Sequence, residues 1–164
     1  MLHLRRLKPQ PEDGYSLIEM LVVVVMVGIL ALIAAPSWNG LINGRRAATV
    51  RDEISQALRL TQDQAQRQRT AQTFVLTTPA IGAPTVSVAG GAPKALANNV
   101  PLSLLTVTAN PAAPLTLRYT EQGVLAGTTA TPTQITVVVG TARRCLIVEN
   151  LLGTLRQRDG ADCP

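Results

Sequence analysis

At 164 residues, the chain has room for one modest domain beyond an N-terminal apolar run, and not for two. Aromatic residues make up 2%, so a sheet core must be built from Val, Leu and Ile, and the net charge of +5 permits an anionic partner without naming one. The chain has one histidine and two cysteines, and it lacks a paired-carboxylate constellation, a Gly-rich phosphate loop after a strand and a nucleophile elbow. An enzyme reading therefore has no chemistry to stand on. No catalytic residue, metal site or cofactor is expected, and function is expected to live in surfaces and assembly.

The first element is a continuous apolar run from Tyr15 to Ala35, carrying one carboxylate, Glu19, near its start. As a helix at ~1.5 Å per residue it reaches about 30 Å, enough to cross the hydrocarbon core of a bilayer. A charge inside such a span costs up to about 2.5–3.5 kcal/mol, less near an end, and so calls for a partner. A secretory signal peptide fits the basic start (Arg5, Arg6, Lys8) and the small residues Ala34 and Ala35. Its apolar core, however, is normally only ~7–15 residues. A plain anchoring helix fits the length but gives no reason for Glu19 or for Gly14 directly before the run. The positive-inside count is a tie, since Arg45, Arg46 and Arg51 follow the span.

The residues Gly14-Tyr15-Ser16-Leu17-Ile18-Glu19 resemble the type III signal of type IV pilins and type II secretion pseudopilins: a polar leader ending in Gly, an aromatic, a small hydroxyl residue, two aliphatics and Glu. The resemblance implies a leader over 1–14, cleaved after Gly14 by the prepilin peptidase, with methylation of the new amino group of Tyr15. It also implies a polymerisation helix over 15–36 held in the bacterial inner membrane, with the C-terminal domain in the periplasm, and extrusion by an assembly platform into a filament of pilin or pseudopilin subunits. Tyr15 stands where phenylalanine is usual, and Glu12-Asp13 precede Gly14 where a basic residue is commoner. Glu19 of an incoming subunit is expected to pair with the Tyr15 ammonium of its neighbour. The plainer alternative is an acid that snorkels from a helix end.

Beyond the run, Pro36 predicts a kink, and Gly40 and Gly44 weaken the helix further. Trp38 suits the outer membrane interface. Over 37–70 the positions Ala47, Val50, Ile54, Ala57, Leu58 and Ala65 recur at three- and four-residue steps, which predicts an amphipathic helix with a narrow core stripe. Arg51, Arg59, Arg67 and Arg69 are assigned to its solvated outer face.

From 71 to 164 the composition shifts to Thr, Val, Ala, Pro and Gly, predicting a β-rich globular domain. Expected strands are Gln72–Leu76, Val86–Val88, Leu102–Thr108, Leu115–Tyr119, Ile135–Val139 and Cys145–Glu149, with loops at 79–84 and 110–114. The fold class is α+β: a long N-terminal helix packed on a C-terminal antiparallel sheet or sandwich-like domain.

The segment from Thr141 to Arg158 is similar to the closing hairpin of the GspH/FimT branch of pseudopilins and minor pilins, in which a strand, a Leu-Gly turn at Gly153 and a basic strand end the fold. In an exported domain Cys145 and Cys163 are expected to pair and staple the tail, with about 3 kcal/mol from closing a loop of about eighteen residues. Free thiols are the alternative, and a calcium site at Glu149, Asp159 and Asp162 is a weaker one. Arg143, Arg144, Arg156 and Arg158 fall on two adjacent strands. Some FimT-type pilins bind DNA through such a segment, which the resemblance extends to these four residues. Thr154 replaces the arginine expected after Gly153, and aromatic residues for base stacking are absent nearby. The plain alternative is a solvated face balanced by acids. The combined expectation is a minor pseudopilin or pilin of a secretion or pilus filament, with DNA uptake and a major filament subunit as alternatives.

Overall fold

Helix α1 spans Leu17–Gln68 and starts on a local signal, since the Ser16 Oγ accepts the Glu19 backbone N–H at 3.2 Å. Ser16 and Glu19 stand at the two key positions of a capping box. The helix ends where Arg69 turns left-handed (φ 50°) and the Thr70 N–H returns to the Ala65 carbonyl at 3.3 Å, a Schellman-type closure. The structure, a computed structural model, describes residues 14–96, 98–126 and 132–163, with the side chains of 33–37 outside that description. The leader expected over 1–14 thus lies outside it except for Gly14. The kink expected at Pro36 concerns a residue whose side chain lies outside it too.

The chain divides into two compact units, Met1–Trp38 and Asn39–Pro164. In the first, every described side chain from Gly14 to Leu32 is exposed, apolar ones included. Among the described residues no helix is long and apolar enough to cross a membrane. The described apolar run stops at Leu32, short of the about twenty residues a span needs.

Among the described residues the second unit pairs eight strands into two antiparallel sheets. Strands β1 (Gln72–Thr77), β2 (Thr85–Val88), β3 (Lys94–Ala95) and β5 (Leu115–Tyr119) order as β3-β2-β1-β5. Strands β4 (Leu105–Asn110), β6 (Thr133–Val139), β7 (Ala142–Val148) and β8 (Leu155–Asp159) order as β4-β6-β7-β8. Period-two alternation aims Phe74 and Leu76, Leu115, Leu117 and Tyr119, and Ile135, Val137 and Val139 inward. These join Ala47, Val50, Ile54, Ala57, Leu58 and Ala65 of α1 in one hydrophobic core. All six expected stripe positions are buried.

Two expectations are corrected and one short strand is added. Residues 102–104 form a turn, with the Leu104 N–H on the Pro101 carbonyl at 3.0 Å, so β4 starts only at Leu105. Pro101 sets a turn geometry that an apolar pattern alone does not reveal. Strand β3 was not foreseen, because two residues are too short to display alternation. Arg51 is not on the solvated face: it is 9% exposed, because the end of β8 covers that flank of the helix and supplies a carboxylate to it.

Candidate functional site

Antiparallel register decides which arginines act together, because directly opposed residues share a face. Cys145 lies opposite Arg158 and Ile147 opposite Arg156, so Arg156 and Arg158 share the face of β7 that carries Arg143. Arg144 lies opposite Asp159, on the other face, with Leu146 and Val148. The four arginines of the closing hairpin therefore divide three to one, and Arg144 does not join the other three.

Their electrostatic surroundings differ as well. Arg156 Nη1 pairs with Glu149 Oε1 at 2.8 Å, a half-exposed contact of small net value. Among the described residues Arg143 and Arg158 form no ion pair, which leaves two guanidinium groups on that face for an external anion. On the opposite face, Asp159 receives Arg51 Nη1 at 2.8 Å and Arg144 Nη1 at 3.3 Å, while Arg51 also holds Asp52 at 3.1 Å. Arg51 is the buried member, so its desolvation is offset by two carboxylates rather than by one.

The disulfide between Cys145 and Cys163 is formed, with a Cα–Cα distance of 5.7 Å. It ties the short 3-10 turn Gly160–Asp162 back to the middle of β7 and so fixes the segment just after Asp159. Gly153, in the β7–β8 turn, has φ +73°, and a Cβ there would lie 3.1 Å from the Tyr119 ring. Both the backbone angle and the space require glycine. Two helix glutamines missed by the sequence analysis hold the loops in place. Gln62 Nε2 donates to the carbonyls of Gly123 (2.8 Å) and Leu152 (3.1 Å), and Gln66 Nε2 donates to that of Gln122 (3.4 Å). No sequence signal marks them, since their partners are backbone atoms brought in by the fold.

At the other end of the chain, Gly14 and Tyr15 precede the helix, and Tyr15 is exposed. Glu19 sits in the first turn, where the helix dipole favours a carboxylate. The Ser-x-x-Glu spacing was the available signal for this capping role. In the second unit, a cleft of about 500 Å³ is lined by Ala57, Leu60, Val86, Val88 and Leu96, with Glu53 and Lys94 also lining it. No group of three metal-ligating side chains occurs among the described residues.

Residues 11–35 match the family model of the prokaryotic N-terminal methylation motif. The fold is similar to that of the type IV minor pilin FimU of Pseudomonas aeruginosa strain PAO1 in two crystal forms. In one the TM-score is 0.55 at 14% identity, covering 73% of this chain and 96% of that chain. In the other it is 0.50 at 17% identity, covering 71% and 99%. Among curated proteins none matches this chain.

Proposed function

We propose that this chain, which joins the prokaryotic N-terminal methylation motif to a type IV pilin-like fold, is a minor pilin or pseudopilin of the GspH/FimT type. It acts as a structural component of a type IV pilus or type II secretion filament. On this reading a prepilin peptidase cleaves after Gly14 and Tyr15 is methylated. The apolar run then anchors the chain once in the inner membrane, and an assembly platform transfers it into the filament. The observation that carries the reading is the apolar helix after Gly14, with Glu19 in its first turn, whose described side chains as far as Leu32 are all exposed. An apolar surface of that size needs lipid or other subunits to cover it.

The test compares Glu19→Gln with Glu19→Ala. Gln can serve the capping box but carries no charge. If Glu19 pairs with the Tyr15 ammonium of a neighbour, both variants are processed normally and both lose incorporation into filaments, by at least tenfold. Recovery in Glu19→Gln would reduce the residue to a helix cap and sink the pairing.

A second reading is favoured by the face carrying Arg143, Arg156 and Arg158, namely DNA binding for natural transformation. The two guanidinium groups without a carboxylate partner among the described residues, Arg143 and Arg158, give a slope of about −2 for log affinity against log salt, which reaches about −3 where Arg156 exchanges Glu149 for a phosphate. Replacing all three arginines by Gln is expected to abolish micromolar binding, whereas Arg144→Gln is expected to leave it nearly intact. Binding that survives the triple replacement, or none in low salt, defeats this reading.

A further inference from the structure

Among the described residues the two sheets end in the edge strands β3, β5, β4 and β8, and three of these are guarded against further pairing. Strand β3 is two residues long and carries Lys94, and β8 carries Arg156, Arg158 and Asp159. Strand β5 carries Arg118 and is covered at its end, where Leu125 bridges Tyr119 and the Ala126 N–H donates to the Arg118 carbonyl at 2.7 Å. Short length, charge and cover are the devices that keep sheet edges apart. Strand β4, Leu105–Asn110, contains no charge and no proline. We propose that its open edge pairs antiparallel with β4 of a second copy of this chain, about a two-fold axis at Val107. This pairing concerns the second unit alone and does not depend on the filament reading.

The register with β6 fixes which backbone groups of β4 point outward. The Gly140 N–H donates to the Leu104 carbonyl at 2.9 Å, which makes these two a hydrogen-bonded pair at the start of the β4–β6 ladder. Bonded and non-bonded pairs alternate along an antiparallel ladder. Thr106, Thr108 and Asn110 therefore turn their backbone N–H and C=O groups toward β6, and Leu105, Val107 and Ala109 turn theirs to the open edge. The Leu105 N–H is already used, since it donates to the Leu102 carbonyl at 3.3 Å. The outward donors left are the N–H groups of Val107 and Ala109, for which no described backbone group is a partner.

A two-fold axis at Val107 satisfies both of these donors on each strand. The Val107 N–H meets the Val107 carbonyl of the second copy, and the Ala109 N–H meets the second copy's Leu105 carbonyl, in both directions. Pro111, which has no N–H to donate, falls outside the paired stretch. The side chains fit the same register. On the outer face, exposed Thr106 lies opposite the second copy's exposed Thr108, a favourable cross-strand pair. On the inner face, Leu105 lies opposite Ala109, and both are partly buried residues at the rim of the core that an added strand would cover. Every opposed pair is uncharged, so like charges do not oppose self-association. This self-complementarity selects a second copy over an unrelated strand, and a pair of this kind closes without adding a third copy.

So short an interface falls below the about 1,000 Å² of a stable complex, so half-association is expected on the order of 100 µM. Sedimentation velocity of the full chain in detergent micelles, over a concentration series spanning that value, measures it. One variant joins Thr106→Lys to Thr108→Lys, and another joins Thr106→Glu to Thr108→Glu. Each alone sets like charges opposite one another and is expected to raise the concentration of half-association at least tenfold, with unchanged thermal unfolding. An equal mixture of the two sets Lys opposite Glu and is expected to pair at least as well as the unsubstituted chain. In the unsubstituted chain the Val107 and Ala109 amides are expected to gain exchange protection as pairs form. A chain that stays monomeric throughout the series overturns the inference. Association that the doubly lysine-substituted chain retains also overturns it, since contact then runs through the apolar helix or another surface. A mixture that stays apart overturns the proposed register and the inference with it.

Discussion

Gly153 shows how one residue can carry two constraints. Its φ of +73° costs an L-residue on the order of 1–2 kcal/mol. The Tyr119 ring, 3.1 Å from the position a Cβ would take, is itself buried and has little room to retreat. Gly153→Ala is expected to lower the unfolding free energy by roughly 2–3 kcal/mol, read as a lower urea midpoint at unchanged slope. An unchanged midpoint would show that the turn relaxes freely. The sequence marks Gly153 as a turn residue but not as the neighbour of Tyr119, because that contact joins segments 34 positions apart in the chain. Arg51 teaches the same lesson. Helical spacing puts it beside the core stripe, and only the arrival of Asp159 turns a flank position into a buried ion pair.

Among the elements, the closing hairpin depends most on a covalent restraint. Among the described residues strand β8 is an edge strand paired with β7 alone, and its outward residues are largely exposed. The Cys145–Cys163 bond closes a loop of 18 residues in sequence separation around it. Replacing both cysteines by alanine is expected to cost about 3 kcal/mol in the chain-entropy account. It should also raise amide exchange in 155–163 before exchange in β6. Equal protection of β8 with and without the bond would show that pairing with β7 and the Arg51–Asp159 contact suffice. The helix, by contrast, was legible over most of its length. Its apolar stripe follows from a 3.6-residue period, and its start from Ser16 and Glu19, both local features.

For the whole folded unit, the most telling titratable group is Tyr119, 1% exposed, whose burial raises its pKa to about 12. The unfolded chain ionises this phenol near its ordinary value of about 10, whereas the folded chain holds its proton. Stability is therefore expected to be independent of this group below pH 10. Above it, stability should fall by up to about 1.4 kcal/mol per pH unit, a decline that slows near pH 12. Urea unfolding at pH 8, 10 and 11.5, beside Tyr119→Phe, checks this; a wild-type decline identical to that of the Phe variant would assign it to other groups.

At this scale the division between sequence and tertiary structure is clear. The sequence alone determined the apolar run after Gly14, the amphipathic stripe, most of the strands and the pool of basic residues near the C-terminus. Periodicity, turn residues and charge are properties of neighbours along the chain. Only the tertiary structure decided the order of the two four-stranded sheets among the described residues, the separation of Arg144 from Arg143, Arg156 and Arg158, and the burial of Arg51. Each of these depends on register between distant segments, and a shift of one residue in a strand pair would carry every side chain to the opposite face.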